Sequence, residues 1–442
     1  MDNAREVALD VLKAVLFEGA YSNIVLSKKL NKSNLKDNDK ALITEIVYGT
    51  LKYKETLDII IQSYLRNPIK TMDKNIVNIL RITIYQIRYL DKIPSFAAVN
   101  EAVEMSKKIS IKYSKLVNGV LRNYIRTYKN KKFYDHRNNL EKFSFMYSYP
   151  KWLIKMFISQ YGIEIAEKIL KGLNERPNIT ARVNNLKIDY DEAFEKLGEY
   201  GYNIEEGYIC PEAIQIIKGK NIEKNPLFIE GDITVQDESA MLVAPSMELD
   251  EESIVLDLCS APGGKTTHIS EIMNNKSKVY AYDVHQNKLS LIESNAKRLG
   301  IKNIETDVGD AAVFNKKLKE KAHRVLMDVP CSGLGIIRKK PEIKWTKNER
   351  EIKNIIAIQR KIMNNGASYL KEGGILLYST CTLNKEENEE NINWFLKKHK
   401  NFKIEPLYYG DVDNIIYHKE GFVSILPNDK MDGFFIAKLK KC

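Results

Sequence analysis

Two thiols in similar surroundings are the first sign of chemistry in this chain. "DVPCSGLG" (328–335) sets Cys331 just beyond the apolar run "RVLM", and "YSTCTL" (378–383) sets Cys381 at the end of "GGILLYST". Core packing would hide a thiol inside a strand, whereas both of these stand where a strand is expected to end. Three readings compete. A disulfide is disfavoured in a reducing compartment, and the five cysteines are sparse, odd in number and never spaced C-x-x-C. A metal site lacks enough Cys or His partners nearby. The third reading is covalent catalysis by a thiolate.

A pyrimidine shows why such chemistry needs sulfur. C5 of cytosine is a poor carbon nucleophile. A thiolate that adds at C6 turns the ring into an enamine, and C5 can then attack a sulfonium methyl. Protonation at N3 assists the addition, which makes Asp328 the candidate acid. Afterwards H5 must leave and the thiol must be expelled, with a second thiol or a water as base. A free cysteine has a pKa of about 8.5, so only a few per cent is thiolate at neutral pH.

The methyl donor has its own candidate loop. "LDLCSAPGGKTTHIS" (256–270) reads as strand, glycine turn and helix, yet it matches neither G-x-G-x-x-G nor G-x-x-x-x-G-K-[ST]. Gly263 and Gly264 let the backbone approach a ligand. The helix beginning near Thr266 offers free N–H groups to a carboxylate, and Lys265 adds a charge there. Asp283 ends the next strand, where an acid hydrogen-bonds ribose hydroxyls. Asp310 ends the following extended segment and could reach an adenine amino group. The glycine pair alone would suit a ligand-free turn; with Lys265, Asp283 and Asp310 at successive strand ends, the set suits S-adenosylmethionine.

The elements that must hold these residues come in three blocks. The first block covers residues 1–140, of which 1–130 read as helices only. "REVALDVLKAVLFEGAY", "NDKALITEIVYGTLKY", "ETLDIIIQSYL", "NIVNILRITIYQIRYL", "SFAAVNEAVEMSKKI" and "SKLVNGVLRNYIRTY" all carry apolar residues at helical spacing. Ser95 resembles a helix start and Asp39 an N-cap. "KNKKFYDHRNNLEK" (129–142) reads as a linker. Residues 141–228 mix helices with the strand "NITARVN", a small α+β unit. Residues 229–442 alternate strand and helix and predict a doubly wound, mostly parallel Rossmann-like sheet, which binds ligands at its carboxyl edge. The run Glu386, Glu387, Glu389 and Glu390 is expected to stabilise the start of the helix after Cys381, and Lys397, Lys398 and Lys400 its end. His268 and His285 are expected to be structural rather than metal ligands.

Charge locates a partner. The net charge is +11, and residues 1–140 carry 25 Lys+Arg against 14 Asp+Glu while the rest carries 44 of each. A basic block of this kind suits a polyanion, and composition alone fits a lysine-rich surface from an AT-rich genome equally well. The start "MDNAREVALDVLKAV" is not a basic-then-apolar signal, and no apolar run approaches the roughly 18 residues of a membrane span. A soluble, cytoplasmic protein is expected.

"VQDESAMLV", "LDLCSAPGGKT", "DVPCSGLGIIRKKPEIKW", "YSTCTLNKEENE" and "DGFFIAKL" together resemble, in order, the motifs of the RNA cytosine-C5 methyltransferases of the RsmB/Sun, Nop2 and NSUN family. "ALITEIVYGTLKYKETLD" resembles the NusB-like RNA-binding domain of the RsmB (Sun, Fmu) branch. The resemblance implies a multidomain chain: an all-α NusB-like domain over 1–140, a small α+β RNA-recognition domain over 141–228, and an α/β S-adenosylmethionine-dependent methyltransferase domain over 229–442. It implies 16S rRNA as substrate and a monomer without metal. It makes Cys381 the nucleophile, with Cys331 serving product release. Cys259, Ser260, Ala261, Pro262, Gly263, Gly264, Lys265, Asp283, Asp310 and Asp328 are the implied cofactor contacts. "DVP" and "CSAPGG" are mild departures from the commoner "DAP" and "CAAPGG".

RNA contacts are expected from the basic first block and from the 338–347 loop, where Arg338, Lys339, Lys340, Lys344 and Lys347 surround Trp345. Rival substrates are tRNA and 23S rRNA. A NusB-like assembly factor with a silent methyltransferase domain is a further rival, and so is a DNA methyltransferase that attacks with Cys331.

Overall fold

The computed structural model describes residues 3–33 and 35–442. It divides into two compact units. One comprises Met1–Asn174 together with Ile337–Lys347, the other Glu175–Ile336 together with Asn348–Cys442. Among the described residues, no helix is long and apolar enough to cross a membrane.

The first unit is helical throughout, as its 3.6-residue periodicity requires. Its heart is the helix Lys74–Tyr89, started by Asp73, whose carboxylate accepts the backbone N–H of Asn75 and Ile76 at 2.9 and 3.1 Å. Every residue from Ile76 to Gln86 on this helix is buried, the mark of a helix packed on all sides. Its buried arginine is paired: Arg81 donates to both carboxylate oxygens of Asp58, at 2.6 and 2.7 Å. Gly49 lies within the helix Asp37–Lys52, where glycine costs about 1 kcal/mol relative to alanine. A Cβ there would stand 1.9 Å from the Tyr85 ring, so the glycine makes room for an aromatic neighbour.

Three features differ from the sequence reading. Asp39 is no N-cap; it lies in the first turn of a helix capped by Lys36, where its charge still favours the dipole. The expected linker ends in a helix, Asn139–Tyr147, capped by Asn138. A further helix, Ser22–Lys32, buries only Ser22 and Leu26, too few apolar residues for its periodicity to show in the sequence.

The 338–347 loop is the larger correction. Lys344 is buried within the helical unit, of which the segment Ile337–Lys347 is part, and Trp345 is half-buried there. Lys344 is 1 % exposed; its ammonium donates to the carbonyl oxygens of Lys52, Tyr147 and Ser148 and to Asn174 Oδ1 (2.9 Å), and it lies over the Tyr149 ring. Burial, with Lys52 nearby, pushes its pKa well below the usual lysine range. The Trp345 indole donates to the Leu51 carbonyl at 2.8 Å under the Lys54 ammonium. Lone carbonyl oxygens at helix ends need donors, and Lys344 supplies them.

The second unit holds two sheets. The smaller has four antiparallel strands, β1 (Ile179–Val183), β2 (Asn203–Glu206), β3 (Ala213–Lys218) and β4 (Ile233–Val235), ordered β2-β3-β1-β4. The larger begins with five parallel strands: β5 (Val255–Asp257), β6 (Val279–Asp283), β7 (Ile304–Val308), β8 (Ala322–Asp328) and β9 (Leu370–Thr380). The expected alternation runs on through the helix Glu389–Lys398 and ends there. The strands β10 (Phe402–Glu405), β11 (Ile415–Tyr417), β12 (Val423–Ile425) and β13 (Phe434–Lys441) form an antiparallel addition on β9, giving the order β11-β12-β13-β9-β8-β5-β6-β7 with β10 also on β13. The connections in this last segment carry no crossover helix, which leaves antiparallel pairing as the available solution.

Lys344→Ala removes a buried stem and orphans carbonyl oxygens, so it should destabilise the helical unit by about 2–4 kcal/mol, read as earlier loss of ellipticity in urea. The slope of RNA affinity against salt should not change; a slope smaller by about 1 would restore Lys344 as a phosphate contact.

Candidate active site

The site begins where β5 stops. Asp257, the last residue of that strand, is buried and accepts the Thr266 hydroxyl at 2.7 Å and the Cys259 N–H at 3.4 Å. It therefore ties the strand end to the first turn of the helix Gly264–Ile272 across the glycine loop. Gly263 has φ +101°, a conformation open to glycine, and its missing Cβ faces Ile292 at 3.2 Å. Ser260 fastens the loop to the neighbouring strand, its N–H and hydroxyl both donating to the Tyr282 carbonyl, at 2.9 and 2.8 Å. Burial, then the surrounding acids, push the Cys259 thiol well above the usual range. Asp257 was not singled out from sequence; an acid closing a strand just before a glycine turn was the available signal.

Successive strand ends carry the remaining acids. Asp283 is buried at the end of β6 and accepts the His285 N–H at 2.9 Å. Asp310, just beyond β7, accepts the Ala312 N–H at 2.9 Å. Each uses one oxygen in that turn, leaving the other for a ligand. A cavity of about 390 Å³ opens beside Asp310, lined also by Leu258, Tyr282, Ala311, Phe314 and Tyr369. An apolar cleft with one acid at its edge suits an adenine ring, Asp283 suits a ribose, and the N–H groups and glycine loop at Gly263–Lys265 suit a carboxylate. The residues present thus fit S-adenosylmethionine.

β8 and β9 bring the two thiols together. Parallel pairing in the register Asp328↔Ser379 sets the two strand ends side by side, and the Ser379 hydroxyl donates to Asp328 Oδ1 at 2.8 Å. The sulfurs of Cys331 and Cys381 stand 3.3 Å apart, unbonded. The Lys265 ammonium lies 2.8 Å from Asp328 Oδ2. Burial opposes that charge, but Asp328 and the nearby Cys381 hold the Lys265 pKa above its ordinary value. The hydrogen bond between the thiols, then burial, push Cys331 well above the usual thiol range. Lys265, expected only at the cofactor, thus also joins the thiol centre.

Other motifs close around the same point. Gly335 donates its N–H to the Cys381 carbonyl at 2.9 Å and accepts that of Gly433 at 3.0 Å. A Cβ on Gly335 would lie 2.0 Å from the Gly433 carbonyl, so "SGLG" and "DGFF" meet through bare backbone. Asp432 in turn donates its N–H to Asp237 of "VQDESAM" at 3.0 Å.

Glu387 does not serve the helix start as expected. The helix begins at Glu389, and the Glu387 carboxylate is buried against Ser332. Arg182, also missed, sits fully buried on β1. It ion-pairs with Glu271 at 2.7 Å and donates to the Gly264 carbonyl at 3.0 Å, so the small sheet supports the cofactor helix. An arginine inside the apolar strand "ITARV" was its signal. His268 is structural, its Nε2 3.2 Å from Glu212 in the interior.

The doubly wound sheet, its glycine loop and its strand-end acids define a Rossmann-like methyltransferase. Comparison with known proteins carries this further. A family model for 16S rRNA methyltransferase RsmB/F matches residues 244–440, a NusB family model residues 2–126, and the ferredoxin-like domain model of RsmF/B-like methyltransferases residues 149–223. The chain is 36% identical over 444 residues to a probable ribosomal RNA small subunit methyltransferase B of Bacillus subtilis, covering 99% of each. It is 33% identical over 450 residues to ribosomal RNA small subunit methyltransferase B of Klebsiella pneumoniae, covering 99% of this chain and 98% of that one. Among solved structures it is similar to PH0851 (TM-score 0.83, 28% identity, covering 100% of this chain and 99% of that one). It is also similar to NSun6 from Pyrococcus horikoshii, solved with SFG (TM-score 0.61, 25% identity, covering 67% of this chain and 99% of that one). The chain belongs to the ribosomal RNA small subunit methyltransferase B family of S-adenosylmethionine-dependent enzymes.

Burial pushes the Asp257 carboxyl up to about 7 from its ordinary 3.8, against the Thr266 hydrogen bond and with help from Asp328. Between these two values the folded chain binds more protons than the unfolded one, so this group makes stability fall as pH rises. In Asp257→Asn the stability of the catalytic unit should fall less steeply from pH 4 to pH 7, by a few kcal/mol over the window. Equal slopes in parent and variant, from urea titrations at each pH, would remove Asp257 as the titrating group.

Proposed function

We propose that the protein transfers a methyl group to C5 of a specific cytosine in 16S rRNA through a covalent adduct between Cys381 and C6. The observation that carries this reading is the pair of sulfurs 3.3 Å apart beside an acid that is itself ion-paired with Lys265. When bound, S-adenosylmethionine supplies an electrophilic sulfonium methyl; the Cys259–Lys265 loop, Asp283 and Asp310 would hold it. The chain's own residues do the rest. The Cys381 thiol gives its proton to Asp328 as its sulfur bonds to C6, and Asp328 passes that proton on to N3, with the Lys265 ammonium beside the carboxylate. After methylation a water takes H5, and the C5–H electron pair forms the C5–C6 double bond as the C6–S bond breaks. N3 returns its proton to Asp328, and the Cys331 thiol serves release by donating a hydrogen bond to the departing Cys381 sulfur. The environment supports this division of labour. Cys331 is pushed toward its protonated form, whereas Cys381 has the Lys265 charge for company. A reading with Cys331 as nucleophile, the DNA-type alternative, would place the attack on a thiol that its hydrogen bond and burial push toward the protonated form.

In this reading residues 1–140 grip RNA, 141–228 help present it and 229–442 catalyse, in a cytoplasmic monomer. With Lys344 buried and Trp345 half-buried, the RNA grip falls to another surface of the helical unit. A groove of about 790 Å³ there is lined by Arg66, Lys112 and Lys115 together with Tyr64 and Tyr113. The three cations are exposed. Cations for phosphates beside aromatic rings for bases are what single-stranded RNA needs. The target base must leave its stack to reach Cys381, at a cost of a few kcal/mol that is least for an unpaired base.

The Cys331→Ala variant should accumulate a denaturant-resistant protein–RNA adduct with unmethylated small-subunit RNA, and Cys381→Ala should form none. The opposite pattern on denaturing gels would exchange the two roles, and methyl transfer to DNA but not RNA would overturn the substrate. Lys112→Glu with Lys115→Glu should weaken RNA binding at least tenfold and lower its salt slope by about 2. Binding that keeps its affinity and slope would move the RNA to another face.

A further inference from the structure

The loop after Cys381 carries a carboxylate that the reaction above does not use. Glu387 is fully buried, and four donors converge on it. The Ser332 N–H reaches Oε2 at 2.8 Å, the Ser332 hydroxyl Oε1 at 2.5 Å, Gln359 Nε2 reaches Oε2 at 3.0 Å, and Asn384 Nδ2 reaches Oε1 at 3.2 Å. Ser332 directly follows Cys331. Its hydroxyl also meets the Thr382 hydroxyl at 2.7 Å, and Thr382 directly follows Cys381. Glu387 is itself anchored through its own carbonyl, which accepts the Tyr378 hydroxyl at 2.6 Å and Asn391 Nδ2 at 3.1 Å. Gln359 adds a second tie to the same turn, donating to the Pro330 carbonyl at 3.0 Å.

The chemistry of the cluster calls for a carboxylate. An ionised carboxylate offers only acceptors, with room for about four donors. Burial raises the Glu387 pKa, and the donors oppose that rise. An amide in its place would turn an NH₂ group toward other donors. A buried carboxylate in so complete a shell is a costly way to begin a helix, and the helix begins two residues later under Asn388. What the shell does accomplish is to join two loops: it binds the turn that carries Cys331 to the loop that follows Cys381.

We propose that Glu387 is a positioning residue for methyl transfer, holding the Pro330–Ser332 turn against the Cys381–Asn388 loop and thereby setting the separation of the two sulfurs. Its catalytic consequence rests on the covalent reading above, whereas its geometric consequence does not, and the two can be measured separately.

The geometric arm uses the full-length protein without RNA or S-adenosylmethionine. Diamide takes up two electrons and two protons as two thiols become a disulfide, and the Cys331–Cys381 product is counted by peptide mapping under non-reducing conditions. In the parent the sulfurs already touch, and disulfide formation should be rapid. Glu387→Gln should slow it at least tenfold, and Ser332→Ala, which loses the hydroxyl but keeps the N–H, should slow it about threefold. The kinetic arm measures methyl transfer: Glu387→Gln should lower kcat at least tenfold while KM for both RNA and S-adenosylmethionine stays within twofold, a split that general loss of structure would not produce. Should Glu387→Gln fail to bind S-adenosylmethionine in calorimetry, Ser332→Ala decides both arms, with kcat and the disulfide rate falling together. A disulfide rate that holds or rises, in whichever variant binds S-adenosylmethionine, overturns the proposal. A slowed disulfide rate with no adduct in Cys331→Ala upholds the positioning of the sulfurs and overturns the covalent reading instead.

Discussion

The pairing of β8 with β9 is the constraint on which the catalytic unit depends. A parallel ladder aligns carboxyl ends, so two segments far apart in sequence must deliver their final residues to one place. The register Asp328↔Ser379 then determines that the acid of one strand faces the hydroxyl of the other. Everything beyond that register follows within a few residues: Pro330 and Cys331 on one side, Thr380 and Cys381 on the other. A slip by one residue would turn each side chain to the opposite face of the sheet and separate the sulfurs.

Buried and half-buried carboxylates finish what the ladder starts. Asp257 ties β5 to the cofactor helix, Asp237 holds the Asp432 backbone, and Glu387 joins the two thiol loops. Glu238 does the same in the small sheet's loop, accepting the backbone N–H groups of Tyr208, Ile209 and Cys210 at 2.8 to 3.0 Å. Loops cannot satisfy their own N–H groups as helices and strands do. An anion with several acceptor sites gathers them at once and makes an irregular segment rigid. Rigidity matters here because covalent addition needs the sulfur held at bonding geometry before the ring arrives.

The helical unit solves a related problem with the opposite charge. Helix ends leave carbonyl oxygens without partners, and Lys344 brings a cation to four oxygen acceptors. It does so from a stretch of chain that the sequence order assigns to the methyltransferase block. The same lysine that looked like a phosphate contact is therefore part of the interior, and the tyrosine and lysine groove elsewhere on the unit inherits that role in the RNA reading.

Local pattern alone determined much of this protein. Helical periodicity marked six helices of the first unit, strand–helix alternation marked the parallel half of the large sheet, and short motifs marked Cys331, Cys381, Asp328 and the glycine loop. These are legible because each depends on neighbours in sequence: a 3.6-residue period, a strand followed by a turn, a glycine where φ must be positive. Asp257 and Glu387 were hidden for the converse reason. Nothing beside Glu387 in "NKEENEE" separates a buried carboxylate from solvated ones, because its four donors include Ser332 and Gln359 from other elements. Lys344 reads as one lysine in a basic run until the carbonyl ends of distant helices surround it. The antiparallel strands β10–β13 likewise acquire their place only through β13, which pairs with β9 and carries β10 and β12. What the sequence alone determined are the elements and the reactive groups; which charges are buried, and what they hold together, was decided by contacts between residues that only the tertiary fold brings within hydrogen-bond reach.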